Sequence, residues 1–252
     1  MKPTPRRHLL AALLLPILCL GQTARAATFT YDFENLSNGA LGGFDNWVNE
    51  GGANYIVSTD ILPGNGTQVV GNVNFGGSQF VKRTNGGSFD FGDLSGSNFL
   101  TLGFDGRFVG GGSDQIHFKL RNAANSVVSP IFGFEGDSSM LGDSDASLPG
   151  TINANDWVSI QMTVDMNLNT ASLFYKNLTD GDTGFTAVAG LQNISVPVQN
   201  PSVWTEMSLR TGDYANNMVD NLYIATFDAV PEPSRAIFAA LGFVGLILRR
   251  RR

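Results

Sequence analysis

Cysteine is nearly missing from these 252 residues: the single one, Cys19, lies in an apolar stretch near the front. If that stretch is removed on export the mature chain holds none, which excludes disulfides, a thiol nucleophile and a cysteine metal centre together. Leu18 is bulky where a lipoprotein acylation site before Cys19 needs a small residue, so lipidation is disfavoured. Histidine is almost as scarce. His8 belongs to the same front segment and leaves His117 alone, so a multi-histidine zinc site is excluded. A Ser-His-Asp triad would have to use His117, and no Gly-x-Ser-x-Gly elbow accompanies it. Charged residues make up only 15% of the chain and are unevenly placed. Residues 27 to 230 carry 7 basic and 21 acidic side chains, a net charge of −14 that repels phosphate backbones and excludes nucleic acid as a partner. Long hydrophobic runs are missing too: the two most extended, Leu9 to Leu20 and Ala236 to Leu248, span twelve and thirteen residues. A bilayer needs about 20.

Those two short runs sit at the ends. Lys2, Arg6 and Arg7 precede the first, Pro16 interrupts it, and Ala24-Arg25-Ala26 follows with the small-x-small pattern of a signal peptidase site. Residues 1–26 are thus expected to be a signal peptide, cut between Ala26 and Ala27. The Arg6-Arg7 pair leaves general secretory and twin-arginine export both open. At the other end Val230-Pro231-Glu232-Pro233-Ser234 leads into Ala236 to Leu248 and then Arg249, Arg250, Arg251 and Arg252. Thirteen residues make a helix of about 20 Å, short of a hydrocarbon core of about 30 Å, so the anchor is marginal. Four terminal arginines hold that end in the cytoplasm and leave the body outside. Pro231 and Pro233 keep the preceding segment extended and open to a protease.

Residues 230–252 resemble the PEP-CTERM sorting signal, whose three parts occur here in order at the terminus. The resemblance implies recognition in the inner membrane and cutting near Pro231-Glu232-Pro233 by an exosortase, a membrane transpeptidase. It also implies a final place on the cell surface or in an extracellular matrix, in association with exopolysaccharide or biofilm.

Between the ends, 30 glycines and 10 prolines punctuate short alternating runs, with no sustained helical periodicity. Leu100, Leu102 and Phe104 alternate with Thr101, Gly103 and Asp105; Ile116, Phe118 and Leu120 with His117, Lys119 and Arg121; Val158, Ile160, Met162 and Val164 follow suit. The fold class is therefore all-β, roughly a dozen strands in a two-sheet sandwich that buries those faces, flanked by the signal peptide and a short C-terminal transmembrane helix. Gly110-Gly111-Gly112 and Asn85-Gly86-Gly87 suit turns that need positive φ. Residues 27–229 resemble the concanavalin A-like, laminin G-like jelly rolls in Phe29 to Glu34 as the opening strand, Asp156-Trp157 to Asp165 as a central strand with Thr170 to Tyr175 as its hairpin partner, and Val219 to Ile224 as the closing strand. That superfamily includes retaining glycosidases, whose two carboxylates share one strand face about 5 Å apart. The only Asp-x-Asp pairs, Asp143/Asp145 and Asp180/Asp182, fall in Gly-rich loop sequence and include no glutamate.

Candidate ligand residues remain. Trp204 alternates with Glu206, Ser208 and Arg210, opposite Val203, Met207 and Leu209, so it is expected to point outward. There it would stack on a sugar, lining a polar concave face with Arg107, Asp105, His117 and Lys119; packing beneath a loop is the alternative. His117 is expected at the surface and Trp157 in the core. Asp180 and Asp182 could offer oxygens to Ca²⁺, but Asp and Gly as turn formers is the favoured reading, and no cofactor is required. The chain thus reads as a non-catalytic exported surface or matrix protein served by signal peptidase and exosortase, transiently held in the inner membrane and gripping extracellular polysaccharide. The alternative is a carbohydrate-active enzyme with an unrecognised acidic pair.

Overall fold

The structure is a computed structural model that describes residues 27–49, 55–59, 68–72, 81–84, 98–107, 115–122, 124, 129–135, 138–147, 149–196, 198, 203–211 and 217–227. Ala24, Ala26, both glycine-rich connectors, Pro231 to Pro233 and Arg249 to Arg252 lie outside these residues. Among the described residues no helix is long and apolar enough to cross a membrane.

The strands are β1 (Ala27–Tyr31), β2 (Gly39–Ala40), β3 (Trp47–Asn49), β4 (Tyr55–Thr59), β5 (Gln68–Asn72), β6 (Val81–Thr84), β7 (Phe99–Arg107), β8 (Gln115–Asn122) and β9 (Phe132–Glu135). They continue as β10 (Ser138–Leu141), β11 (Ser144–Ser147), β12 (Trp157–Asp165), β13 (Thr170–Asn177), β14 (Thr186–Ala187), β15 (Ile194–Ser195), β16 (Trp204–Thr211) and β17 (Met218–Phe227). The expected dozen is exceeded because two-residue strands such as β2, β14 and β15 are too short to show alternation.

They form two antiparallel sheets. A ten-stranded sheet runs β14-β13-β12-β7-β17-β5-β4-β2, with β1 on β17 and β15 on β13; a seven-stranded sheet runs β11-β10-β9-β8-β16-β6-β3. The opening and closing strands pair from Ala27↔Thr226 to Tyr31↔Leu222, so the body begins and ends side by side. The all-β two-sheet sandwich read from the sequence is the fold.

Alternation explains the core. Ile160↔Phe104, Met162↔Leu102 and Val164↔Leu100 face inward across β12 and β7, and all six are 0–1% exposed. From the other sheet, Ile116, Phe118, Leu120, Met207 and Leu209 meet them at 0% exposure. The Phe104 ring reaches across to Phe118 and Phe132, with centroids 6.4 and 5.6 Å away. Each such side chain, fully buried, contributes about 1.5–3 kcal/mol relative to exposure.

Two polar devices tie the sheets together. The Tyr55 hydroxyl on β4 accepts from the Thr211 amide at 3.0 Å and lies 3.3 Å from the Leu209 carbonyl, both on β16. Burial pushes that phenol up to about 12, so it keeps its proton at any physiological pH. Arg83 of β6 points inward at 0% exposure, which only a paired cation tolerates. Its Nη2 lies 3.2 Å from both Asp45 carboxylate oxygens, and its guanidinium sits 5.5 Å from the Phe29 and Tyr31 ring centres.

Candidate functional site

Polar side chains collect on the outer face of the seven-stranded sheet. β8 places His117, Lys119 and Arg121 there, and β16 sets Arg210, Ser208 and Glu206 directly opposite them. β6 adds Lys82 opposite Ser208 and Thr84 opposite Glu206. Glu206 is the pivot, 3.3 Å from Lys82 Nζ and 3.6 Å from Arg121 Nη1. The face is more enclosed than alternation implies. His117 is 5% exposed, Lys119 6%, Arg121 7%, Glu206 7% and Ser208 0%, whereas Lys82 and Arg210 keep part of their surface in water. His117 is therefore not the surface residue expected from the sequence. Its burial, followed by the charges of Arg210 and Lys119, lowers its pKa to about 4, so it is neutral at physiological pH.

The outer face of the ten-stranded sheet is built differently. Asp105 Oδ2 accepts from the side-chain Nδ2 of Asn221 at 2.8 Å, and the Tyr223 hydroxyl donates to Gln161 Oε1 at 2.9 Å. Arg107 Nη2 lies 3.5 Å from Met218 Sδ. The Tyr223 ring crosses directly over Gly103, where a β-carbon would overlap its Cζ, Cε1 and hydroxyl atoms. Gly103→Ala is therefore expected to cost about 1–3 kcal/mol by overpacking. Denaturant unfolding measures it, and the double variant with Tyr223→Ala should lose less than the two single changes added together. A Gly103→Ala midpoint equal to that of the parent would mean the ring gives way freely.

The expected binding face is not assembled. Arg107 and Asp105 belong to β7 in one sheet and His117 and Lys119 to β8 in the other, so they line opposite outer surfaces of the sandwich. Trp204 does not point outward: it is 1% exposed, within the core. The register shift between Trp204 and Glu206 explains the reversal, because Trp204 pairs with Asn122 and Glu206 with Arg121. One extra residue, Thr205, flips the side-chain parity, and Val203 is exposed in its place. Trp47 at 0% and Trp157 at 3% are buried as well, so no indole presents a face to solvent.

Asp180 and Asp182 hold a turn. Asp180 Oδ2 lies 2.9 Å from Asn177 Nδ2, and Asp182 Oδ2 accepts from the Asn177 amide at 3.0 Å. Asn177 Oδ1 in turn accepts from the amides of Thr179 and Asp180. This is the local side-chain bonding that recommends Asp and Asn for turns. Among the described residues no cluster of three or more acidic or histidine side chains is placed to hold a metal ion.

Two features were missed in the sequence. Lys82 is one, hidden in the four-residue strand Val81-Lys82-Arg83-Thr84, whose alternation is too short to read. The other is Asp220, 0% exposed at the break in β17's alternation, where Asn221 adopts φ 48°. Burial first, then the Asp105, Glu34 and Asp32 carboxylates, push the Asp220 pKa up to about 8, against a hydrogen bond from the Asn221 amide.

No protein-family model and no curated protein sequence matches the chain. Solved structures do. A Shewanella oneidensis protein of unknown function superposes with a TM-score of 0.50 at 8% identity, over 92% of this chain and 98% of that one. The globular domain of T. cruzi calreticulin gives 0.48 at 7% identity, over 86% and 93%. Arcelin-5, a lectin-like defence protein from Phaseolus vulgaris, gives 0.44 at 10% identity, over 80% and 97%. At these identities the likeness concerns the fold.

Proposed function

We propose that this chain is an exported, non-catalytic surface or extracellular-matrix protein, sorted through its C-terminal tail and holding extracellular polysaccharide on a concanavalin A-like jelly roll. One observation carries the sorting: Pro231-Glu232-Pro233, thirteen apolar residues and four arginines stand in that order at the terminus, as in the PEP-CTERM signal. Signal peptidase removes the front, the short helix parks the chain in the inner membrane with its body outside, and an exosortase releases it to the surface. What supports the binding half is the association with exopolysaccharide that the resemblance of residues 230–252 to the PEP-CTERM signal implies.

A carbohydrate-active enzyme is the competing reading, and one observation bears on it: burial pushes the Asp220 pKa up to about 8, so this carboxyl keeps the proton that a general acid needs. Its 0% exposure keeps it away from any glycosidic bond, which supports the non-catalytic reading. Release of reducing sugar from a polysaccharide panel would overturn that reading.

Sorting is tested by Glu232→Ala and by deletion of Arg249 to Arg252. Neither touches the front segment, so export should continue. Glu232 lies outside the apolar run, so only a protein that reads the motif responds to its loss. Losing the arginines removes the charges that fix the helix in the membrane. In a host that has the sorting enzyme, immunoblots of membrane, surface and medium fractions should show an uncut precursor heavier than the mature form. A Glu232→Ala protein that matures and localises like the parent would reduce the tail to a hydrophobic anchor.

A further inference from the structure

We propose that a cavity between the end of β1 and the turn before β3 holds one neutral sugar residue, a terminal or branch unit of a polysaccharide, against Tyr31, Asp32, Asn35, Leu36 and Asp45. This rests on the polysaccharide-holding reading above and adds where the sugar sits and of which class it is.

β1 ends at Tyr31 in the ten-stranded sheet, and β3 begins at Trp47 as the last strand of the seven-stranded one. The segments that follow β1 and precede β3 enclose a cavity of about 290 Å³, with Tyr31, Asp32, Phe33, Asn35, Leu36 and Asp45 in its walls. That volume lies near the lower limit of small-molecule sites, about 300–1,000 Å³, and suits one sugar ring rather than an oligosaccharide. The walls can be reached from solvent. Asp32, Asn35 and Asp45 are exposed, and Tyr31 and Leu36 are half-buried.

These walls are fixed before any ligand arrives. The Tyr31 ring meets Phe33 and Trp47 edge-on, with centroids 4.9 and 5.7 Å away, and the Arg83 guanidinium lies 5.5 Å from its centre. The same guanidinium holds the Asp45 carboxylate at 3.2 Å. Asp32 Oδ1 accepts from the Glu34 amide at 3.2 Å, the Phe33 carbonyl from the Leu36 amide at 2.9 Å, and Glu34 Oε1 from the Gln68 amide at 2.9 Å, so the loop after β1 is tied down. Backbone strain gathers at the same place. Phe33 and Asp45 adopt φ of 57° and 40°, and Asn46 next to Asp45 adopts 64°. For a bulky residue such as Phe that conformation costs of order 1–3 kcal/mol, and such residues concentrate at binding and catalytic sites. A cavity held in shape this way spends little ordering entropy when a ligand enters.

The lining has the mixture that a hydroxyl-rich ring needs. Carboxylates at Asp32 and Asp45 accept from hydroxyls, the Asn35 side chain both donates and accepts, and the Tyr31 hydroxyl donates. Burial, with the Asp45 carboxylate acting in the same direction and the Trp47 indole against it, pushes the Tyr31 phenol up to about 12, so it keeps its proton. Leu36 and the Tyr31 ring supply apolar surface for the carbon face of a sugar. Phe44, 46% exposed in the turn that carries Asp45, adds more. Charge then decides the class. Two carboxylates in the walls repel an acidic sugar, and Arg83, 0% exposed and engaged by Asp45, is turned away from it. A cationic sugar is drawn to a body of net −14 everywhere, so nothing singles out this cavity for it. A neutral sugar is the ligand whose recognition depends on these particular walls.

The test is affinity electrophoresis of the exported protein in gels containing dextran, mannan, arabinogalactan or polygalacturonate, at low and high salt. Retardation by at least one of the three polymers of neutral sugars, unchanged as salt rises, is the expected result, with none by polygalacturonate. Asn35→Ala and Tyr31→Phe should each weaken that retardation about three- to tenfold, the loss of one hydrogen bond. Lys176→Gln, on β13, should leave it unchanged. Thermal unfolding of each variant separates lost binding from lost fold, and the comparison of polymers and salt on the unaltered protein needs no variant. Equal or stronger retardation by polygalacturonate, fading with salt, would overturn the neutral class while leaving the polysaccharide reading standing. No retardation in any gel would remove both. Full retardation of the folded Asn35→Ala and Tyr31→Phe proteins would move the site out of this cavity.

Discussion

Trp204→Ala is expected to destabilise the protein by about 3–5 kcal/mol, the usual cost of emptying a buried indole site. The side chain is 1% exposed at the start of β16, where it opens the strand that joins β8 to β6 in the middle of its sheet. Denaturant unfolding should show a lower midpoint with an unchanged slope, since the compactness of the end states does not change. Retention on a polysaccharide, corrected for the folded fraction, should be no weaker than for Trp157→Ala. Trp157 is 3% exposed in a separate small cluster with Val69, Leu178 and Met218. Both changes act through packing. A stability loss under about 1 kcal/mol would mean that the site collapses without a cavity.

That buried tryptophan marks where alternation stops being a guide. Period-two patterning gave β7, β8 and β12 within two residues of their ends, because each has one apolar and one polar face over eight or nine residues, and the jelly-roll resemblance gave β13. It failed at Thr205, where an extra residue on one strand reverses parity without any Gly or Pro to announce it. It also reports which face a residue is on, never which strand lies beside it. Asp105 and His117 both alternate with core residues, yet their strands join different sheets, and only long-range pairing decides that. The polar outer face of the seven-stranded sheet depends on β16 lying between β8 and β6, strands distant from it in sequence. Polarity likewise says nothing of enclosure, which is why Ser208 and His117 looked like ordinary surface residues. At Asp220 the break comes from the backbone: Val219, Asp220 and Leu222 are all buried around Asn221.

Asp220→Asn should turn that break into a pH-dependent gain. In the folded protein the carboxyl holds its proton up to about 8, because it is buried and faces Asp105, Glu34 and Asp32; in the unfolded chain it releases the proton near 3.8. Below the unfolded value both states are protonated and the fold keeps its full stability. As pH rises from about 4 to about 8 the unfolded state gains by ionising and the native state does not, so stability falls by up to about 1.4 kcal/mol per unit. Above about 8 the loss is complete. Asparagine keeps an oxygen for the Asn221 amide, which lies 2.7 Å from Asp220 Oδ1, and cannot ionise. The variant should therefore match the parent near pH 4 and exceed it increasingly toward pH 8. His117 acts in the other direction: its folded value of about 4 lies below the unfolded 6.5, so it withdraws stability as pH falls between them. That contribution is common to both proteins and cancels in their difference. Urea midpoints measured from pH 4 to pH 9 give the difference directly. Parallel curves for the two proteins would show that Asp220 is ionised in the native state at neutral pH, and that its neighbours accommodate the charge.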